Sequence, residues 1–95
     1  MTMSAIVTAY CAASCCCPSP RQPTASGAWP REGVTVAAPR SVPLGTRVTI
    51  DGRPYVVQDR TARRWSRAGR WDIFVNSHAR AKQLGVRRVT ITINP

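Results

Sequence analysis

Residues 47–57 read RVTIDGRPYVV and carry the clearest structural signal in the chain. Apolar and polar residues alternate over 47–50, as they do in a strand that buries one face. The dipeptide Asp51-Gly52 then favours a two-residue turn, since such turns need a positive φ angle at both positions. Apolar residues return at 55–57. The stretch therefore predicts a tight antiparallel hairpin.

Short apolar runs on both sides of this hairpin predict further strands. Asn76 and Ser77 can cap the N-terminus of a helix over 78–84, and Gly85 would end it. Six short strands with one short helix predict a mainly β fold, a small closed barrel, because closure removes exposed strand edges. The additional strand candidates are residues 5–10, 34–37, 72–75 and 89–93.

Size and charge limit the possible partners. The 95 residues (10.4 kDa) fit a single domain, residues 1–95, with a core over about 5–93. The chain carries 14 Lys and Arg against 4 Asp and Glu, a net charge of +10, and Lys82 is its only Lys. An Arg-rich surface suits phosphate or carboxylate groups, so nucleic acid and bacterial wall polymer both qualify. A GC-rich genome would also produce this excess of Arg.

The composition excludes several classes of protein. No apolar run approaches the ~20 residues that cross a bilayer, so no membrane insertion is expected. Residues 1–10 lack the basic start and the long apolar stretch of a secretory signal. The cellular location is therefore left open, and a role outside the membrane would need another means of export. A hydrophobic content of 43% with three Trp argues against disorder.

Four cysteines near the N-terminus leave three interpretations open. Their number matches a structural zinc site, but their spacing lacks the paired C-x₂-C arrangement. Disulfides would form in an oxidising compartment, although a bridge between adjacent cysteines is strained. Free thiols are the third interpretation, and no metal or other cofactor is predicted. The four are Cys11, Cys15, Cys16 and Cys17.

Two of the four acidic residues have structural explanations. Glu32 adjoins Arg31 in a polar loop, where a solvated ion pair is expected. Asp51 belongs to the hairpin turn, where its side chain can bond to the local backbone. The only His, His78, is expected on the surface in the first turn of the helix.

The other two acids, Asp59 and Asp72, each adjoin an apolar strand and flank a long Arg-rich loop. A carboxyl group partly desolvated there by Trp65 or Trp71 would have a raised pKa and could act as a general acid. The alternative is that each carboxylate pairs with a nearby Arg and holds the loop in place. The loop itself, residues 60–71, interleaves Arg with Trp, which would suit stacked bases or a sugar chain equally.

Seven short motifs in this order resemble the three-aspartate (3D) domain family of bacterial and phage cell-wall proteins. That family is related to the catalytic barrel of membrane-bound lytic murein transglycosylase A. The resemblance runs from about residue 8 to residue 93. The motifs are Thr8-Ala9-Tyr10-Cys11, Cys16-Cys17, Thr24-Ala25-Ser26-Gly27, Pro43-Leu44-Gly45-Thr46, Val56-Val57-Gln58-Asp59, Asp72-Ile73-Phe74-Val75 and Ser77-His78.

The resemblance implies a double-psi β-barrel that acts on the glycan strands of peptidoglycan without a cofactor. Enzymes of this kind cleave the β-1,4 bond between N-acetylmuramic acid and N-acetylglucosamine and leave a 1,6-anhydro ring. Asp72 matches the catalytic general acid and base, and Asp59 matches a second aspartate that supports it. The residues expected to bind substrate around them are Thr24, Ser26, Gly27, Tyr10, Arg60 and Trp71.

The sequence departs from the family pattern at two places. Ala38-Pro39 stands where the family has its first aspartate before proline, and residues 60–63 replace a Thr-Gly-Gly-like run. Because Asp59 and Asp72 are both present, an active lytic transglycosylase is expected. The alternatives are a non-catalytic module that binds wall glycan and, from a different class, a basic nucleic-acid-binding domain. A monomer and a strand-exchanged dimer both remain open.

Overall fold

Six strands close into a barrel in the computed structural model, which describes residues 2–10, 24–61, 69–76 and 78–94. Around the barrel the strand order is β1-β5-β2-β4-β3-β6, with β6 returning to β1. One short helix, α1, accompanies these strands in the described part. The prediction of a small, mainly β, six-stranded barrel with one helix is confirmed. The elements are β1 (Thr2–Tyr10), β2 (Thr35–Ala38), β3 (Arg47–Ile50), β4 (Arg53–Arg60), β5 (Trp71–Phe74), α1 (His78–Leu84) and β6 (Arg87–Ile93).

The strand pairing has a two-fold pattern. The parallel pairs are β1 with β5 and β2 with β4, and the other four pairs are antiparallel. When β1 is exchanged with β4, β2 with β5 and β3 with β6, every strand pair is reproduced. Each parallel pair needs a crossover connection, so the two halves of the chain interlock. This pairing agrees with the expected double-psi arrangement.

The predicted hairpin joins β3 to β4. Asp51 and Gly52 have φ angles of 53° and 79°, as a two-residue turn of this kind requires. The strand β4 extends beyond the apolar run that predicted it, because β2 pairs with it as far as Arg60. Asp59 therefore lies within a strand.

Apolar side chains from all six strands fill the barrel. Among the described residues, Trp71 is the largest fully buried side chain, with 1% of its surface exposed. This corrects the expectation that Trp71 binds substrate, because a ring enclosed by the core cannot contact a glycan strand. The core residues are Ala5, Val7, Val36, Ala38, Val42, Val48, Ile50, Tyr55, Val57, Trp71, Ile73 and Ile91.

Glu32 connects the loop before β2 to the start of α1. Its Oε1 accepts a hydrogen bond from the Asn76 backbone N–H at 2.7 Å, and its Oε2 accepts one from Arg80 Nη1. These two donors hold the pKa of Glu32 below its ordinary value. The expected solvated pair with Arg31 is therefore wrong, since the partner of Glu32 comes from a helix 48 residues further along the chain.

The helix prediction is confirmed over His78–Leu84, and Gly85 follows it with a φ of 58°. Several other residues singled out in the sequence lie outside the described part of the chain. They are the four cysteines, Trp65, Ser77 and the side chain of His78.

Candidate active site

Asp59 and Asp72 lie on the two strands that flank β2. Ala37 of β2 pairs with Asp59 of β4 on one side and with Asp72 of β5 on the other. Neighbouring strands are about 4.8 Å apart, so the Cα atoms of the two aspartates are about 10 Å apart. Beyond β5, Thr8 of β1 pairs with Asp72. Thr8, Asp72, Ala37 and Asp59 thus form one row across four strands, called here the aspartate row.

Asp72 faces the outside of the barrel because its two neighbours face the inside. Trp71 and Ile73 both belong to the core, and successive side chains of a strand alternate between faces. Ala37 likewise lies between two core residues of β2. The Asp72 side chain keeps only 20% of its surface exposed. The Asp72 carboxyl group is therefore only partly accessible to water.

A bulge in β4 brings Asp59 into the same row. Val36 pairs with Val57, but the next residue of β2, Ala37, pairs with Asp59, so Gln58 is the extra residue. Strict alternation would turn Asp59 to the same face as Val57, which is the barrel interior. The bulge re-aims the side chain, as bulges beside active sites commonly do.

Three donors hold the Asp59 carboxylate in place. Its Oδ1 accepts hydrogen bonds from the backbone N–H of Ala25 at 3.1 Å and of Arg60 at 2.9 Å. Its Oδ2 accepts one from the Tyr10 hydroxyl at 3.4 Å. The Tyr10 ring packs edge-on against Phe74, with the ring centroids 5.3 Å apart. Asp59 is therefore a fixed, hydrogen-bonded carboxylate at the end of the row.

The loop over residues 24–28 lies against β4 beside Asp59. The Thr24 hydroxyl donates to the Ala28 carbonyl at 2.7 Å and is 2.9 Å from the Ser26 hydroxyl. The Ser26 N–H donates to the Gln58 carbonyl at 2.9 Å. Gly27 has a φ of 90°, a value that favours glycine. The loop that contains Thr24, Ser26 and Gly27 thus lies beside Asp59, which it contacts through Ala25.

Opposing influences act on the proton of Asp72. Burial raises the pKa of this carboxyl group above its ordinary value, and the negative charge of Asp59 raises it further. The Arg70 guanidinium lowers it, with Nε 3.7 Å from Asp72 Oδ1. The same Nε donates to the Thr8 hydroxyl at 3.0 Å. Burial prevails, so Asp72 keeps its proton to a higher pH than an ordinary aspartate does.

Sequence reasoning missed Arg70 and Thr8. Arg70 did not stand out among the many Arg residues of the predicted loop, although it lies two residues before Asp72 and immediately before β5. Thr8 was named only as part of a motif. Its place beside Asp72 depends on the parallel pairing of β1 with β5, which joins residues 64 positions apart in the chain.

Arg60 has a structural role. Its Nη1 donates hydrogen bonds to the carbonyl groups of Pro39 at 3.3 Å and Arg40 at 3.2 Å, and also to that of Val42. The guanidinium thus fixes the turn that follows β2. The expected contact of Arg60 with substrate stays a prediction.

Ala38, which stands where the three-aspartate pattern described above would have an aspartate, lies inside the barrel. It has no exposed surface and belongs to the core. Its neighbour Ala37, on the opposite face, is the residue between Asp59 and Asp72. An aspartate at position 38 would therefore alter the interior of the barrel and not the aspartate row.

The comparisons with known proteins add no family. No family model matches the chain, and no curated protein matches it. Within the described residues, no group of three or more His, Cys, Asp or Glu is placed to hold a metal ion. The helix found in that part of the chain is too short to cross a membrane.

Proposed function

We propose that the protein is a lytic transglycosylase that cleaves the β-1,4 bond between N-acetylmuramic acid and N-acetylglucosamine in peptidoglycan. The observation that carries the proposal is the environment of Asp72. It is an outward-facing carboxyl group whose pKa is raised by burial, with a second carboxylate in the same row. A carboxyl group with a raised pKa beside a second carboxylate is typical of glycan-cleaving sites.

In the first step Asp72 acts as a general acid. Its carboxyl proton passes to the oxygen of the glycosidic bond as the bond from that oxygen to C1 of the muramyl residue breaks. Positive charge develops at C1 and the ring oxygen. The fixed carboxylate of Asp59 stabilises this charge because it is negative and already oriented by its three donors.

In the second step the Asp72 carboxylate acts as a general base. It removes the proton of the C6 hydroxyl of the same muramyl residue, and O6 forms a bond to C1. The products are a 1,6-anhydromuramyl end and a free C4 hydroxyl on the leaving sugar. No water is consumed, and Asp72 recovers its proton. Between the two steps Asp72 is ionised, and the positive charge of Arg70 stabilises that form.

The charge of the chain agrees with this substrate. A net charge of +10 attracts an anionic wall polymer over distances comparable to the Debye length, about 8 Å at physiological ionic strength. The same charge would attract nucleic acid. The carboxyl groups of the aspartate row favour the glycan substrate, because they have no use in binding phosphate.

The test is incubation of the purified protein with bacterial sacculi, followed by mass spectrometry of the released products. Muropeptides that end in 1,6-anhydromuramic acid are expected. Reducing ends would mean hydrolysis and would contradict the transglycosylase reaction. Protein that sediments with the wall and releases nothing would identify a binding module. Protein that ignores the wall but shifts DNA at low salt would identify a nucleic-acid binder.

The pH dependence of activity tests the environment of Asp72 directly. Because the free enzyme must hold the Asp72 proton, kcat/KM is expected to fall as pH rises through the pKa of this group. Asp59→Asn removes a nearby negative charge and should move this fall to lower pH. Arg70→Gln removes a positive charge and should move it to higher pH.

Arg70→Lys is the matched control, since it keeps the positive charge and should leave the fall in kcat/KM near the pH of the native protein. Opposite shifts in Asp59→Asn and Arg70→Gln would tie the profile to Asp72 even if both variants are slower overall. Shifts in the same direction, or none, would show that another group controls the profile.

A further inference from the structure

Trp29 is the most exposed of the aromatic side chains in the described part of the chain, with 61% of its surface open to solvent. It forms no ring contact and no hydrogen bond there. An exposed Trp can serve as a binding residue because its ring is large and apolar and its N–H is polar. Trp is also the residue type most enriched where a few contacts dominate binding, because it offers a large rigid face and an N–H donor.

The backbone on both sides of Trp29 is fixed. Before it, the Ala28 carbonyl accepts two hydrogen bonds from Thr24, from N at 2.8 Å and from Oγ1 at 2.7 Å. After it, the Arg31 N–H donates to the hydroxyl of the fully buried Thr35 at 2.9 Å. Pro30 limits the backbone angles of Trp29 as well as its own. The ring is therefore displayed on a rigid segment, which lowers the entropy lost when a ligand packs on it.

This rigid segment belongs to the same structure as the aspartate row. The loop that ends at Ala28 donates the Ala25 N–H to Asp59 Oδ1. On the other side, Thr35 donates to Gln58 Oε1 at 2.6 Å, beside Asp59. Trp29 is thus anchored from both directions to the part of β4 that carries Asp59.

We infer that Trp29 forms a sugar-binding subsite for the glycan strand on the Asp59 side of the aspartate row. The apolar C–H face of a pyranose ring would pack on the indole, and the indole N–H would donate to a hydroxyl or N-acetyl oxygen. The inference deepens the proposed function and rests on it for the identity of the glycan. Trp29 would act by binding and positioning, without contact with the reacting atoms.

The test measures binding and turnover separately with the full chain. Trp29→Ala is expected to weaken co-sedimentation with purified sacculi about tenfold and to raise KM for muropeptide release by a similar factor, with kcat nearly unchanged. Trp29→Phe keeps an aromatic face and should recover most of the loss. Val86→Ala is the matched control, because Val86 is also exposed but lies between α1 and β6. Thermal unfolding should be the same for all these proteins.

The outcomes separate this inference from the proposed function. Anhydromuropeptide release with an unchanged KM in Trp29→Ala would overturn the subsite alone. Wild-type protein that binds sacculi without releasing product, and loses that binding in Trp29→Ala, would overturn the enzyme and support the subsite. Wild-type protein that does not bind sacculi would overturn both.

Discussion

Replacing Asp72 by Asn is expected to abolish the release of 1,6-anhydromuropeptides, with a fall in kcat of about 10³-fold or more. The amide keeps the size and outward position of the side chain but can neither give nor accept the proton in the two steps. The measurement is the rate of product release from sacculi. Binding to sacculi should be preserved, since nothing in the proposed mechanism requires Asp72 for binding.

Asp51→Asn is the matched control for this variant. Asp51 is an exposed acid in the hairpin turn, where Asn also tolerates the positive φ angle. Its ion pair with Arg87 is exposed and contributes little to stability. Asp51→Asn should therefore keep full activity. If Asp72→Asn also keeps it, the assignment of Asp72 as general acid and base is wrong.

Asp72→Asn should also make the folded protein more stable than the wild type at neutral pH. The pKa of Asp72 is raised by folding, so the folded state binds more protons than the unfolded state between the ordinary pKa of Asp, about 3.9, and the raised value. Stability is therefore lost as pH rises through that window, and Asn avoids the loss. Thermal unfolding should show a higher Tm for Asp72→Asn at neutral pH and no difference at pH 3. A lower Tm at neutral pH would contradict the burial of this group.

Trp71→Ala is expected to lower the free energy of unfolding by about 3–5 kcal/mol. Trp71 is the largest fully buried side chain, and Ala would leave a cavity in the centre of a small core. The stability of such a domain is about 5–15 kcal/mol, so the variant loses a large part of it. Urea denaturation measures the change.

Two variants show whether Trp71 acts only through the core. Trp71→Phe fills part of the space and should fold with an unchanged KM. Trp29→Ala removes an exposed indole and should leave the free energy of unfolding unchanged within about 0.5 kcal/mol. A stable Trp71→Ala protein with a raised KM would restore a role for Trp71 in binding substrate.

The local elements could be predicted from the sequence because each depends on residues close together in the chain. The hairpin followed from Asp51-Gly52, and the helix followed from the residues over 76–85. Strand ends were less accurate. β4 reaches Arg60 only because β2 lies beside it, and no local pattern contains that pairing.

The aspartate row could not be predicted from the sequence, because it depends on how distant strands pair. The two acids meet across Ala37 through one parallel and one antiparallel pairing, and the bulge at Gln58 decides which face Asp59 takes. One signal was available. Alternation along β5 places Trp71 on the face opposite Asp72, so the two could not both have faced the substrate.

The two-fold strand pattern has a consequence for how the proposed glycan substrate would bind. It exchanges β1 with β4 and β2 with β5, so the ends of the row, Thr8 and Asp59, lie on equivalent strands, as do the middle residues Asp72 and Ala37. The strand order and directions are thus alike from either end, but the bulge in β4 and the side chains make the two ends of the row different. Glycan strands have two different ends, and only a row with unequal ends can tell them apart. For the proposed glycan substrate, the shared strand order would admit a strand in both directions, and the unequal ends of the row would leave only one direction productive.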